Sequence, residues 1–217
     1  MRRGRKTAAL AATVFAAAAL SAADDAVRRD FDSDTAGGAP GFFRFEGTGG
    51  LAPEKWKAIP DAASLSHPMV AVQTDATGQP GHFHFALSSQ PSSFLDGSVQ
   101  AATKRAAVKG FARAGVAIRY RGPGDFVGAL VDMSSQTVTA IAMRDGRAET
   151  LGAAPIQSDE PVWRTVRLVA SGDHLEVWVS RRKVIDARDP APRPGAAGLV
   201  AEAPVPVAFD DMVIEKK

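Results

Sequence analysis

Apolar and polar residues alternate along most of the chain, in short segments that end at glycine, proline, serine or aspartate. One such segment, 137–144, runs into Asp145-Gly146, a dipeptide that favours a two-residue hairpin turn. Period-two alternation with turn residues about every eight to twelve positions is typical of antiparallel sandwiches. The pattern therefore predicts an all-β fold, an antiparallel two-sheet jelly-roll sandwich. The predicted strands are 69–74, 82–88, 115–121, 126–133, 137–144, 163–170, 174–180, 198–203 and 205–217.

One segment, 100–115, is the only candidate for a helix, because its alanine, lysine and arginine residues have good helix propensity. Gly110 interrupts the segment, and strand-like sequences lie on both sides of it. The interpretation that we favour is a strand that continues into a hairpin.

Several polar or aromatic residues are predicted to lie on strand faces turned away from the core. If the apolar residues of 115–121 face the core, Arg119 and Arg121 face outward, and Trp178 alternates with two valines. Carbohydrate-binding faces combine bidentate donors, carboxylates and an aromatic platform. The alternative for each residue is structural, since exposed arginines are usually solvated and tryptophans are usually packed. The candidate ligand-binding residues of this kind are Arg119, Arg121, Asp132, Gln100 and Trp178.

Two of the four histidines, His82 and His84, stand one residue apart on one predicted strand. A His-x-His pair on a strand could chelate a metal, so both are also candidate ligand-binding residues. Phe83, Phe85 and Leu87 alternate with them, as the apolar side of a sandwich strand requires. The stretch is therefore interpreted first as a strand, and no metal site is assigned to it.

Three aspartates at alternate positions, Asp30, Asp32 and Asp34, could supply oxygen ligands to calcium. An EF-hand loop would need glycine and glutamate where this chain has Thr35 and Gly41. The run is therefore interpreted as a solvated lead-in to the first strand. No cofactor is indicated, and calcium remains the alternative.

The first 23 residues have the layout of a secretory signal peptide. A basic head precedes the apolar run 7–20, and the small residues 21–23 stand at the expected cleavage position. The run is shorter than the roughly 20 residues of a transmembrane helix, so an uncleaved anchor is the less favoured alternative. We expect a signal peptide at 1–23, one β-sandwich domain at 24–217, and a secreted or periplasmic product without membrane attachment after cleavage.

Charge and cysteine content exclude several classes of function. The chain has 26 Lys and Arg against 24 Asp and Glu, and four of the basic residues lie within the first six positions. The predicted mature chain therefore has a net charge of −2 and no long basic run, which argues against nucleic acid as a partner. The chain has no cysteine, which excludes thiol catalysis and thiolate metal sites.

Residues 94–217 carry motifs that resemble the concanavalin A-like (laminin-G-like) jelly rolls, and especially the bacterial 3-keto-disaccharide hydrolase domains. The motifs are the run 94–126, in which Arg119 matches the arginine that ends a Gly-rich strand, the strand pair 163–189, and the closing run 195–216 with Asp210-Asp211. The resemblance implies a two-sheet jelly roll whose concave face often handles carbohydrate. The chain departs from it at 125–127, where relatives often have an Asn-aromatic-aromatic run, and no catalytic set can be carried over.

The sequence contains no familiar catalytic arrangement. A glycosidase usually needs two carboxylates about 5–10 Å apart, but Asp211 and Glu215 lie roughly 13 Å apart along one strand. No nucleophile elbow or phosphate loop is present. We therefore expect a secreted domain that binds carbohydrate or a glycoconjugate. The alternatives are a hydrolase acting on a 3-keto-disaccharide or related glycoside, and a structural or adhesion module without a small ligand; the oligomeric state is left open.

Overall fold

The computed structural model describes residues 26–49, 55–66, 68–106, 112–156, 162–202, 204 and 206–217, so the predicted signal peptide lies outside the described residues. The described residues form fifteen strands. In chain order they are β1 (Val27–Arg29), β2 (Phe43–Gly47), β3 (Trp56–Pro60), β4 (Met69–Gln73), β5 (Phe83–Ser88), β6 (Gly97–Arg105), β7 (Arg113–Gly122), β8 (Asp125–Asp132), β9 (Thr137–Arg144), β10 (Arg147–Pro155), β11 (Arg164–Ser171), β12 (His174–Val179), β13 (Arg182–Arg188), β14 (Ala196–Glu202) and β15 (Val207–Lys216).

The strands form two antiparallel sheets. Sheet A has the order β13-β12-β11-β6-β15-β4-β3, and β1 also pairs with β15. Sheet B has the order β10-β9-β8-β7-β14-β5-β2. The predicted all-β, two-sheet fold is confirmed. No helix among the described residues is long and apolar enough to cross a membrane.

A single large apolar core lies between the sheets, because alternate residues of each strand point toward the opposite sheet. Val166 and Leu168 of β11 in sheet A belong to this core together with Val116 and Ile118 of β7 in sheet B, and all four are fully buried. Burial of this kind contributes roughly 1.5–3 kcal/mol for each large aliphatic side chain. In a chain without disulfides, this core is the main source of stability.

The expected hairpin within 100–115 is wrong. β6 pairs with β11 and β15 in sheet A, whereas β7 pairs with β8 and β14 in sheet B. Each of the two strands already has a partner on both edges, so neither has an edge free for the other. The chain therefore crosses from one sheet to the other, and residues 107–111 of the crossing lie outside the described part.

The strand at 82–88 alternates as expected, but the side with the phenylalanines faces away from the core and the side with the histidines faces toward it, the reverse of the expectation. Ala86 belongs to the core between the sheets, and His84, two residues earlier, lies on the same face of the strand. Phe83, Phe85 and Leu87 instead lie in a second apolar cluster, which is built only from strands of sheet B. Aromatic contacts explain this choice, because the Phe85 ring centroid lies 4.7 Å from that of Tyr120 on β7.

Candidate functional site

The outer faces of the two sheets differ in character. The outer face of sheet B carries the second apolar cluster, whose aromatic side chains are buried against one another. The outer face of sheet A carries mostly polar and charged side chains along β6, β11 and β12. The outer face of sheet A therefore offers hydrogen-bonding groups to a polar ligand across the middle of the sheet.

Three of these side chains form a row across adjacent strands. Arg167 on β11 stands opposite Gln100 on β6 and opposite Trp178 on β12. Because neighbouring strands are about 4.8 Å apart, the row from Gln100 to Trp178 spans roughly 10 Å. Two of the predicted candidates, Gln100 and Trp178, are thus brought together with an arginine between them.

The row borders a depression of about 240 Å³. Its lining residues are Gln100, Thr165, Arg167, Trp178 and Arg181. Arg181 lies in the turn between β12 and β13, where Ser180 and Arg181 both have positive φ, as in a type I′ hairpin. The amide of Ser180 donates to the Thr165 carbonyl at 2.9 Å, which holds this turn against β11.

Polar contacts fix two side chains of the depression. Arg167 Nη2 donates to Ser98 Oγ at 3.0 Å and to Glu215 Oε2 at 3.2 Å. Trp178 Nε1 donates to Glu176 Oε2 at 3.0 Å, and this bond fixes the indole that lines the depression. Hydrogen bonds from Lys183 and Trp178 lower the pKa of Glu176, which keeps this carboxylate ionised near neutral pH.

A second hollow of about 320 Å³ adjoins the depression and shares Gln100 with it. Its lining residues are Arg28, Arg29, Asp30, Gln100, Asp211, Met212 and Val213. Asp211 has φ of 49° at the bulge where β15 shifts register against β6. The bulge turns a carboxylate of the closing strand toward the row.

Asp210, the neighbour of Asp211, has a structural role. It is fully buried, and its Oδ2 accepts hydrogen bonds from the amides of Leu65 at 2.7 Å and Ser66 at 3.1 Å. Its Oδ1 accepts from the Ser66 hydroxyl at 2.8 Å. The first aspartate of the closing motif therefore anchors the loop before β4, and only the second faces the hollow.

Burial, and then the negative charge of Asp210, raise the pKa of Asp211. The folded state therefore binds this proton more tightly than the unfolded state, and stability falls as pH rises from the ordinary carboxyl range through the raised pKa. We expect Asp211→Asn to raise the melting temperature at pH 7 and to leave it nearly unchanged at about pH 3, where the carboxyl is protonated in both states.

Asp145→Asn is the matched control for this change, because Asp145 also has φ of 49° but lies in an exposed turn. Any gain that arises only from the tolerance of asparagine for left-handed backbone would occur in both variants and at both pH values. If the melting temperature of Asp211→Asn at pH 7 rises no more than that of Asp145→Asn, the raised pKa of Asp211 is contradicted.

The expectation that Arg119 faces outward is wrong. Its side chain is 1% exposed, and Arg119 Nη1 donates to Asp189 Oδ2 at 2.8 Å. The reason is a β-bulge: Arg119 has φ of 54°, and the pairing of β7 with β8 shifts register between Ile118 and Gly122. The extra residue reverses the faces beyond it, so that Tyr120 joins the second apolar cluster instead of the core.

A glycine makes this bulge possible. A Cβ on Gly195 would lie 2.4 Å from the Tyr120 carbonyl oxygen and 2.6 Å from the Arg119 carbonyl carbon. Only glycine allows the segment before β14 to approach the bulge so closely. The glycine that opens the closing motif therefore supports the burial of Arg119.

The candidates Arg121 and Asp132 lie at opposite ends of the β7–β8 hairpin, roughly 23 Å apart along the strand. Arg121 pairs with Asp125 at 3.3 Å at one end. Asp132 Oδ1 accepts the amides of Ser134 at 2.7 Å and Ser135 at 3.1 Å at the other end, as the cap of the next turn. Both belong to sheet B and neither lies at the row.

The histidine pair does not form a chelate with a third ligand among the described residues. His84 is fully buried, and its Nε2 lies 3.9 Å from Asp75 Oδ2. Burial lowers the pKa of His84, so the ring is neutral at physiological pH. His82 precedes β5 and lies against Gly49, while His67 lies outside the described part.

The aspartate run follows β1, so the expectation that it leads into the first strand is wrong. Its side chains bond to three different segments: Asp30 Oδ1 accepts the Asp32 amide, Asp32 Oδ1 the Met69 amide, and Asp34 Oδ1 the Gly41 amide. The three carboxylates do not converge on one point. This arrangement fits turn formation and gives no support to the calcium alternative.

Among the residues that the structure describes, one set of three has metal-ligand spacing: His174, Glu176 and Asp186, next to Trp178 on sheet A. Lys183 Nζ lies 3.1 Å from a carboxylate oxygen of Glu176 and 3.1 Å from one of Asp186. The lysine ammonium therefore compensates one of their two negative charges.

Four residues that line the two hollows were not identified from the sequence as facing a ligand: Arg167, Arg181, Arg28 and Asp211. The alternation of side chains along β11 and β12 could have placed Arg167 on the same face as Trp178, once the turn between the two strands had fixed their pairing. The position of Arg181 depends on the hairpin geometry, and that of Asp211 depends on a bulge. Arg28 reaches the hollow only because β1 pairs with the last strand.

Comparison with solved structures finds many similar folds. A carbohydrate-binding module, CBM66 from Bacillus subtilis, is 19% identical, with a TM-score of 0.54 over 74% of this chain and 95% of that one. The fold is a concanavalin-like jelly roll. A Bacillus subtilis protein of unknown function with a galectin-like fold is 13% identical, with a TM-score of 0.54 over 88% of this chain and 96% of that one.

The exoplasmic/lumenal domain of VIP36 in its Ca²⁺/Man-bound form is similar as well. It is 12% identical, with a TM-score of 0.52 over 89% of this chain and 90% of that one. No protein-family model matches the sequence, and comparison with curated proteins finds no match. The likeness to the 3-keto-disaccharide hydrolase domains therefore stays a prediction.

Proposed function

We propose that this protein is a carbohydrate-binding jelly-roll domain and that its ligand lies across the outer face of sheet A. The observation that carries the proposal is the row Gln100–Arg167–Trp178 at the edge of a depression. Trp178 is only partly buried although it lies in the middle of a sheet, so its ring is available to a ligand.

The chemistry of the row fits a sugar ring. The C–H face of a pyranose packs on an indole, while its hydroxyl groups need donors and acceptors in a fixed arrangement. Within the described residues the side-chain amide of Gln100 has no hydrogen-bond partner, so one donor group and one acceptor remain for sugar hydroxyls. Thr165 adds a hydroxyl beside the indole.

The dimensions support a ligand of more than one sugar unit. The two hollows have volumes of about 240 and 320 Å³ and meet at Gln100. A chain of two or three units could therefore lie on Trp178 and extend past Gln100 toward Arg28. The Ca²⁺/Man-bound VIP36 domain and the carbohydrate-binding module with the same fold support the ligand class, and the N-terminal 23 residues support an exported protein.

A glycan array followed by titration calorimetry tests this function. We expect selective binding of one class of oligosaccharide, with an affinity that depends on chain length up to two or three units. Absence of binding across plant, microbial and host glycans would contradict the proposal and favour a structural or adhesion module.

The second candidate is a hydrolase for a 3-keto-disaccharide or related glycoside. One observation favours it: Asp30 and Asp211 line the same hollow, and the pKa of Asp211 is raised by burial and by neighbouring carboxylates. A carboxyl whose pKa is raised by burial and a neighbouring carboxylate is the kind of group that general acid catalysis uses. Release of free sugar from a 3-keto-glycoside, lost in Asp211→Asn, would favour the enzyme over the binding domain.

A further inference from the structure

The charges around the depression are unbalanced. Two of its five lining residues, Arg167 and Arg181, are cationic and none is acidic. Arg167 is partly neutralised, because its Nη2 lies 3.2 Å from Glu215 Oε2. Arg181 has no hydrogen-bond or ion-pair partner within the described part of the chain.

The two described carboxylates beside Trp178 do not pair with Arg181. Glu176 accepts hydrogen bonds from Trp178 at 3.0 Å and from Lys183 at 3.1 Å. Asp186 is engaged by the same lysine and by His174 at 2.9 Å. Both acidic groups next to the indole thus bind Lys183, and Arg181 is left as an unmatched donor at the edge of the depression within the described residues.

The backbone holds Arg181 in this place. The turn has the two consecutive positive φ angles, 45° at Ser180 and 70° at Arg181, and it is bonded to β11 through Ser180. A guanidinium on such a turn can present two parallel N–H groups to a carboxylate, the geometry that makes arginine selective for planar anions.

We infer that the ligand of this site is an acidic glycan, a chain of uronic acid units whose carboxylate is bound by Arg181 while the sugar ring lies on Trp178. This inference rests on the proposed carbohydrate-binding function and specifies its ligand class. The net charge of the whole chain does not supply such selectivity, because 26 basic residues are nearly balanced by 24 acidic ones. The selectivity comes from Arg181, the lining cation that has no ion-pair partner among the described residues.

Calorimetry with oligogalacturonates and with the same oligomers as methyl esters tests the inference, because esterification removes the negative charge and keeps the sugar. We expect binding of the acid form and at least about tenfold weaker binding of the ester, as for the loss of one charge-assisted hydrogen-bonded pair. Arg181→Gln should weaken binding of the acid form to a similar extent and should bring the affinity ratio of acid to ester close to one.

Arg147→Gln is the matched control, since Arg147 is an exposed arginine of sheet B and its loss changes the net charge equally. Equal weakening by both substitutions would mean general charge attraction and would overturn the inference. Equal binding of acid and ester, lost in Trp178→Ala, would also overturn it while leaving the proposed function intact. Binding of sulfated galactan alone would overturn the assignment to a carboxylate, and binding of no glycan at all would remove the proposed function itself.

Discussion

Replacement of Arg119 by alanine is expected to lower the free energy of unfolding by about 3–5 kcal/mol, the usual cost of removing one partner of a buried ion pair. Arg119 binds four groups from three separate parts of the chain: the carboxylates of Asp189 and Asp96, and the carbonyls of Leu95 and Gly172. Without the guanidinium, the fully buried Asp189 would keep only Arg144 as a charged partner. Urea denaturation followed by circular dichroism measures the loss.

The control for this prediction is Arg121→Ala, two positions away on the same strand. Arg121 is exposed and its pair with Asp125 at 3.3 Å is solvated, so we expect a loss of no more than about 1 kcal/mol. Similar losses for the two variants would contradict the structural role of Arg119. A soluble Arg119→Ala protein with unchanged stability would do so as well.

The same ion pair predicts a pH dependence. Burial alone would raise the pKa of Asp189, but the hydrogen bonds from Arg119 and from the Ala191 amide, with the charge of Arg144, hold this pKa below its usual value. A lowered pKa in the folded state contributes stability that is complete above the ordinary carboxyl range and is lost as pH falls through the lowered pKa. The difference in stability between wild type and Asp189→Asn should therefore shrink in acid.

Replacement of Trp178 by alanine is expected to weaken glycan binding by at least about thirtyfold, which corresponds to roughly 2 kcal/mol for loss of an aromatic anchor. The indole contributes the apolar surface on which the sugar ring would lie, and the other lining residues cannot replace it because all are polar. Titration calorimetry measures the affinity, and circular dichroism verifies the fold.

Trp178→Phe is the control, since phenylalanine keeps an aromatic ring but loses the N–H bond to Glu176. We expect it to retain most of the affinity. Unchanged binding in the alanine variant would place the ligand elsewhere on the protein.

The sequence predicted the fold well because strand alternation and turn residues are local properties. The hairpin at Asp145-Gly146 illustrates this: both residues have positive φ, as the dipeptide requires, and β9 pairs with β10 across them. The crossing between β6 and β7 was not predictable in the same way. Whether two consecutive strands share a sheet depends on which partners occupy their edges, and those partners are distant in the chain.

The candidate site was predicted in part, because the alternation of side chains along a strand predicts which face a residue occupies only away from bulges and turns. Trp178 and Gln100 lie on regular strands, so their alternation with core residues placed them on the outer face of sheet A. Arg119 lies at a bulge, where one additional residue reverses the faces, and a bulge has no clear signature in a single sequence. Arg181 lies in a turn, so no alternation applies to it.

A crystal structure of the protein with a bound oligogalacturonate tests the central claim most directly, namely that the outer face of sheet A is the glycan-binding surface. The account predicts a sugar ring packed on the Trp178 indole, with its carboxylate on Arg181 and a hydroxyl on Gln100. Ligand density on sheet B, or at the ends of the sandwich with the Trp178 depression empty, would contradict it.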